Sequence, residues 1–218
     1  MALASLAGIA VMRGVVVVPF SGIWHADLVL AQATGPAPTG PQSLIFAGST
    51  WTCAVVRSID FAGERGVRVV GGLGGWRTTI PAKQYGQGTI TTQMVATDAA
   101  LACGESPPVL DASVPVTVGS AFLRQAGPAS LALQAVLGDA WWVDSAGTVQ
   151  TRPRTGTVAS SFQAMRVDGA EGVYEVGTDA PNDWTPGATF SSPTVSGTVN
   201  RVTHRITPTK LRTEVMAA

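Results

Sequence analysis

Alternation of apolar and polar positions organises most of the chain. In "GVVVVPFSGIWHADLVL", residues 14 to 30, Trp24, Ala26, Leu28 and Leu30 fall on one face of an extended segment and His25 and Asp27 on the other. With the turn "PFSG" ahead of it, the stretch predicts two strands. "AQATGPAPTGPQ", residues 31 to 42, mixes proline and glycine with small residues and predicts a mobile loop. The runs "SLIFAG", "STWTCAVVRSIDFAG", "GVRVVGG" and "WRTTIPA" follow, short, β-rich and punctuated by glycine. That is the pattern of an antiparallel barrel or sandwich.

The middle of the chain changes period. "TTQMVATDAALACG" predicts a short helix with a threonine cap and Gly104 just past its end, and "GPASLALQAVLG" predicts a second, with Pro128 in its first turn and Gly138 after its last. A strand-like "VPVTVG", 114 to 119, separates them. Next come Trp141 and Trp142, neighbours in "GDAWWVDSAGTVQTR", where Asp144 opens a turn and Gly147 closes it. Successive side chains of a strand point to opposite faces, so this hairpin presents a large aromatic on each side.

From 157 onward "TVASSFQAMRVD", "GVYEVGTD", "GATF", "SGTVNRVTHRITPT" and "KLRTEVMA" predict short strands again, with no helix. An offset of 144 pairs Val55 with Val199, Arg57 with Arg201, Val67 with Leu211 and Arg68 with Arg212. The expected fold class is therefore mainly β with a small α+β insert: two tube-type antiparallel β-barrels bridged by short helices and a hairpin. The expected limits are 1–88 for the first barrel, 89–153 for the insert and 154–218 for the second barrel.

Charged residues make up 13% of the chain, half the usual share of about 25%. Mean hydropathy is +0.26, without an apolar run long enough to span a bilayer. A surface so poor in charge predicts burial by other subunits. Fourteen basic residues balance fourteen acidic ones, with no like-charge run, which argues against gripping nucleic acid or an anionic membrane. "MALASLAGIAVMRGVVVV" lacks a basic residue before its apolar stretch, so it reads as the lead-in to a strand, not as a secretory signal. Cys53 and Cys103 read as small buried hydrophobes of a reducing compartment.

No catalytic constellation stands out, and neither a metal site nor a cofactor is expected. His25 and His204 each sit alone in a β region and read as surface or interface residues. Two cysteines and two histidines without chelating spacing cannot form a zinc site. "VVGGLGGWR" could expose backbone donors to a phosphate, but it lacks a Gly-Lys-Ser/Thr ending and reads better as a bulge or tight loop. Asp139 and Asp144 flank the tryptophan pair and are accounted for by a helix end and a turn.

The order of these elements resembles the baseplate hub proteins of tailed bacteriophages, relatives of the late-control family and of the hub part of type VI secretion spikes. The residues that carry the resemblance are "GGWRTTI" closing the first β region, "ASLALQAVLGDAWWVDSAGTVQTR" in the insert, and "VNRVTHRI" with "LRTEV" at the end. It covers about Gly14 to Val215 and rests on architecture and short motifs. The resemblance implies a non-enzymatic virion protein of the tail baseplate, assembled in the host cytoplasm. It further implies a homotrimer whose six barrels form a pseudo-hexameric ring, adapting the sixfold tail tube to a threefold spike and lining the channel for tape measure and DNA. Expected partners are the tail tube protein, a separate central spike protein and other baseplate proteins, with DNA passing through and no membrane binding. Trp24, Trp51, Trp76, Trp141 and Trp142 are the candidate core or interface anchors of such an assembly. The rival readings are a carbohydrate-binding β module using exposed tryptophans, a tail tube protein, and a peptidoglycan hydrolase using Asp139, Asp144 and Glu105.

Overall fold

Three two-residue turns, Ala7-Gly8, Ala47-Gly48 and Ala62-Gly63, fold the start of the chain into hairpins. The computed structural model describes residues 3–31, 35–86, 88–158 and 161–217. In each turn both residues have positive φ, 46–51° for alanine and 80–82° for glycine, the twist that lets two strands pair directly. They connect β1 (Ala4–Leu6) to β2 (Ile9–Val18), and β4 (Gly40–Phe46) to β5 (Ser49–Phe61) to β6 (Glu64–Gly71), with β3 (His25–Leu30) between. Pairing runs β1-β4-β5-β6-β3-β2, antiparallel throughout, and β1 also pairs with β2. The six strands thus close into a barrel. Trp24, Ala26, Leu28 and Leu30 fill it together with Leu44, Phe46, Cys53, Val67 and Val69, all buried. The expected loop at 31–42 is shorter at its far end, because Gly40, Pro41 and Gln42 already pair in β4. Residues 32–34 lie outside the described residues.

The insert is a ribbon that leaves the barrel and returns. β7 (Thr79–Ile80), β8 (Lys83–Tyr85) and β9 (Ile90–Thr91) pair in turn with β12 (Gly127–Pro128), β11 (Phe122–Arg124) and β10 (Thr117–Gly119). At its tip sits α1 (Thr92–Cys103), begun by Thr91, whose hydroxyl accepts from the Met94 amide, and ended by left-handed Gly104. α2 (Ser130–Leu137) packs on it and starts two residues later than expected. Pro128 belongs to β12 and not to the helix, paired with Thr79 of the ribbon. A small hairpin, β13 (Trp142–Val143) and β14 (Val149–Gln150), completes the insert.

The last third adds β15 (Gly156–Thr157), β16 (Phe162–Asp168), β17 (Val173–Thr178), β18 (Ala188–Ser191), β19 (Ser196–Ile206) and β20 (Leu211–Ala217). Their order, β15-β18-β19-β20-β17-β16, repeats the order of the first six strands place for place. It does not repeat the closure. The expected second barrel is an open sheet among the described residues: β15 runs parallel to β18, and no β15–β16 pairing is seen. A two-residue turn holds β1 against β2, whereas four residues separate Thr157 from Phe162.

Four β-bulges reinforce the repeat. Met12 in β2, Val56 in β5, Met165 in β16 and Asn200 in β19 are each the extra residue of a hairpin, and each is followed by arginine. Val55–Arg57 and Val199–Arg201 therefore occupy equivalent places. The other expected matches do not: Val67 faces Ser58, while Val202, the counterpart of Ser58, faces Val215 and not Leu211. The β19–β20 hairpin is one residue pair and two turn residues longer than β5–β6, which moves the offset from 144 to 148 in its second strand. The two sheets meet where Gly14–Val18 of β2 pairs antiparallel with Val202–Ile206 of β19.

Candidate functional site

The β13–β14 hairpin is bonded into the mouth of the barrel. Gly22 donates to the Trp141 carbonyl (2.8 Å) and accepts from the Val143 amide (3.0 Å), so the turn after β2 gains a short extra strand. Thr52 of β5 donates to the Ser145 carbonyl (2.7 Å), and Trp24 Nε1 to the Asp144 carbonyl (3.1 Å). The turn has the expected chemistry: the Asp144 carboxylate accepts from the Thr148 amide and the Gln150 side chain, and Gly147 takes φ 83°.

The two tryptophans divide the space around this joint. Trp141, 3% exposed, enters the core beside α2, its Nε1 directed at Gln134 Oε1. Trp142 is half-buried on the opposite face, with the Arg154 guanidinium 4.0 Å from its ring centre and its Nε1 donating to the Arg152 carbonyl. Burial lowers the Arg154 pKa to about 10. A cavity of about 550 Å³ lies here, lined by Trp24, Trp51, Trp142, Arg154 and Asn182 among others. Asn182, from the loop before β18, closes the joint by donating to the Ala47 carbonyl and Ser49 Oγ. We expect Trp141→Ala to cost about 3–5 kcal/mol in denaturant unfolding. Trp142→Ala should cost about 1 kcal/mol, its loss being chiefly the stacked arginine.

Of the other anchors expected from sequence, Trp24 and Trp76 are fully buried and Trp51 nearly so. Trp24 meets Trp51 edge to face at 4.9 Å, and Trp51 meets Phe46. Trp184, not among those anchors, is buried at the second sheet, packed on Phe162 and Phe190. Its turn-rich surroundings, "APNDWTPG", hide it from any strand pattern.

The glycine loop is an anion cradle whose anion is the chain's own. Glu105, just past α1 and 6% exposed, accepts from the amides of Gly75 (2.7 Å) and Leu73 (3.2 Å). Burial pushes its carboxyl up from the ordinary range, against the pull of these donors. A Cβ on Gly75 would lie 2.1 Å from the Cys103 carbonyl, so only glycine lets the loop approach. Position 105 thus holds insert and barrel together. Asp98 of α1 does similar work inside the insert, accepting from Tyr85, Arg124 and Lys83.

The carboxylates considered for hydrolysis are all engaged locally: Glu105 in the cradle, Asp144 in its turn, Asp139 with Gln134. His204, expected at a surface or interface, is instead buried, its Nδ1 3.0 Å from Thr213 Oγ1 and its ring against Phe46. Strand alternation in β19 turns it into the seam between the sheets. Its partners are a hydroxyl and a phenyl ring, both as buried as the imidazole itself. Among the described residues no group of three His, Cys, Asp or Glu could hold a metal ion.

No family model and no curated protein sequence matches the chain. Solved structures do. The 43 kDa tail protein of prophage MuSo2 from Shewanella oneidensis matches with a TM-score of 0.68 at 9% identity, over 99% of this chain and 96% of that one. The tail protein of Neisseria meningitidis MC58 matches at 0.64 and 14%, over 98% and 95%. The E. coli c3393 protein matches at 0.66 and 12%, over 99% and 76%; it is a type VI secretion component with structural similarity to the T4 tail proteins gp27 and gp5. Nearly end to end, this chain has the fold of phage and prophage tail proteins and of their type VI secretion counterpart.

Proposed function

We propose that the chain is the hub of a phage tail baseplate, a homotrimeric ring that adapts the sixfold tail tube to a threefold central spike. The observation that carries this reading is the repeat: strand order and all four bulge positions recur within one chain, so each subunit offers two units of the same strand order and three subunits offer six. The role is structural. Tube protein, spike protein and other baseplate proteins would cover the charge-poor surface. Balanced charge would let DNA slide through the channel, since neutralising many phosphates would hold it fast.

The repeat also speaks against a tube protein, which needs only one unit per chain for a sixfold ring. A sugar-binding module would need open aromatic platforms, yet Trp24, Trp51, Trp76, Trp141 and Trp184 are buried and Trp142 lies under Arg154. Electron microscopy of the purified ring should count three copies, and light scattering should give three times the 22.3 kDa chain. Six copies would mean a tube. A monomer that binds polysaccharide would restore the sugar module.

A further inference from the structure

The cavity at the joint holds a positive charge that no carboxylate of the chain neutralises. Arg154 is half-buried, and its guanidinium lies on Trp142 without an acceptor for any of its N–H groups among the described residues; Nε is shut off from solvent as well. Arg152 stands 5.9 Å from the same ring, also without an ion pair. All fourteen acidic residues lie among the described residues, and none pairs with either arginine. The counter-charge therefore comes from outside the chain. A guanidinium drawn out of water without one works against the fold, and such a group calls for a reason.

The arginine is also held in place. Gly187 runs so close to position 154 that a Cβ there would lie 2.3 Å from the Arg154 carbonyl, while the Gly187 amide donates to the Val199 carbonyl of β19 (2.7 Å). Its backbone is thus tied to the second sheet, and the indole that orients it is tied to the barrel mouth through Gly22. The cavity of about 550 Å³ has the size of an ordinary ligand pocket, with Trp24 and Trp51 in its wall. Asn182 lines it too, and because its Nδ2 donates to Ala47 and Ser49, its Oδ1 is left as a buried acceptor without a donor. The Asp144 carboxylate, also in the lining, is already engaged by the Thr148 amide and Gln150. The pocket therefore offers a cationic fork, a free acceptor and an apolar wall.

We propose that this cavity receives the carboxyl-terminal residue of a partner polypeptide, its carboxylate on Arg154, its amide N–H toward Asn182 and an apolar side chain against Trp24 and Trp51. A chain end carries all three groups on one residue. An internal aspartate or glutamate brings the charge without the apolar side chain, and so matches only part of the pocket. Arginine suits the task because its planar fork takes both oxygens of a carboxylate, and the Trp142 face fixes the plane of that fork. The site needs no ring, since one chain supplies every group.

The test titrates the full chain with an N-acetylated tripeptide ending in a free phenylalanine carboxylate. Tryptophan fluorescence reads it directly, because Trp24, Trp51 and Trp142 line the site. Binding should saturate, and amidating the peptide's end or substituting Arg154→Met should weaken it at least about tenfold, the loss of a charged hydrogen bond. Arg154→Lys should recover part of it. Arg154→Met keeps an aliphatic stem on Trp142 and removes an unneutralised charge, so it should melt no lower than wild type. Absence of saturable binding overturns the proposal, as does an amide bound as tightly as the acid, a comparison that needs no variant. A peptide with blocked ends and an internal aspartate that binds equally well overturns the chain-end assignment. An Arg154→Met protein that melts early shows the guanidinium serving the fold, and one whose mass changes in light scattering shows it serving a contact between copies; either overturns the proposal. A monomeric wild type would still bind the peptide, so the ring reading and this one fail separately.

Discussion

Glu105→Ala should lower the unfolding free energy by about 3–5 kcal/mol, since buried donors left without a partner cost about 1–3 kcal/mol each. The substitution orphans the Gly75 and Leu73 amides, and the loop cannot slump to find new acceptors because Gly75 already touches the Cys103 backbone. Glu105→Gln keeps one oxygen for Gly75 but turns an amide group toward the second donor, and should lose about half as much. Urea unfolding with an unchanged m-value measures both. A loss below about 1 kcal/mol for the alanine variant would mean that the cradle is held by its own turns. The effect should reach beyond the loop. Gly72 lies against Gly147 of the tryptophan hairpin, so loosening the cradle should also raise hydrogen exchange at Ser145–Thr148.

Glu105 shows where sequence reading stops. The loop "GGLGGWR" displays its donors openly, but the anion they hold comes from 30 residues further along, beyond a helix. Local features were legible because their causes are local: the Thr91 and Gly104 caps, the Asp144 turn, and the inward face Trp24-Ala26-Leu28-Leu30. Register was not. A bulge reverses the inward parity of every later residue in its strand, so Ile59 and Phe61, which simple alternation from Trp51 and Cys53 would bury, stand in solvent. The repeat was visible in β5 and β19, where Val-x-Arg marks both bulges, and was lost one strand later through the longer turn. Closure was the least legible feature, since the barrel is shut by only two residue pairs between β1 and β2.

Acid should open the seam between the two sheets before it unfolds anything else. His204 is 1% exposed and its pKa is lowered to about 3 by burial, while in the unfolded chain it titrates near 6.5. The unfolded state therefore takes up a proton first. The stability that the neutral ring supplies is whole above pH 6.5 and is lost as pH falls from there toward 3. Within that window each pH unit should cost roughly tenfold in the folding equilibrium, about 4 kcal/mol in all. His25, whose pKa is also lowered, by burial and by Arg68, adds to the fall in the same direction. The control is His204→Leu with Thr213→Val, which removes both ends of the buried hydrogen bond and should be nearly neutral at pH 7.5. Its unfolding free energy should stay flatter between pH 6.5 and 5, above the range where carboxylates protonate. Because His204 sits opposite Val16 of β2, hydrogen exchange at pH 5 should rise first along Gly14–Val18 and Val202–Ile206. Equal slopes for wild type and the double variant would place the acid-sensitive group elsewhere.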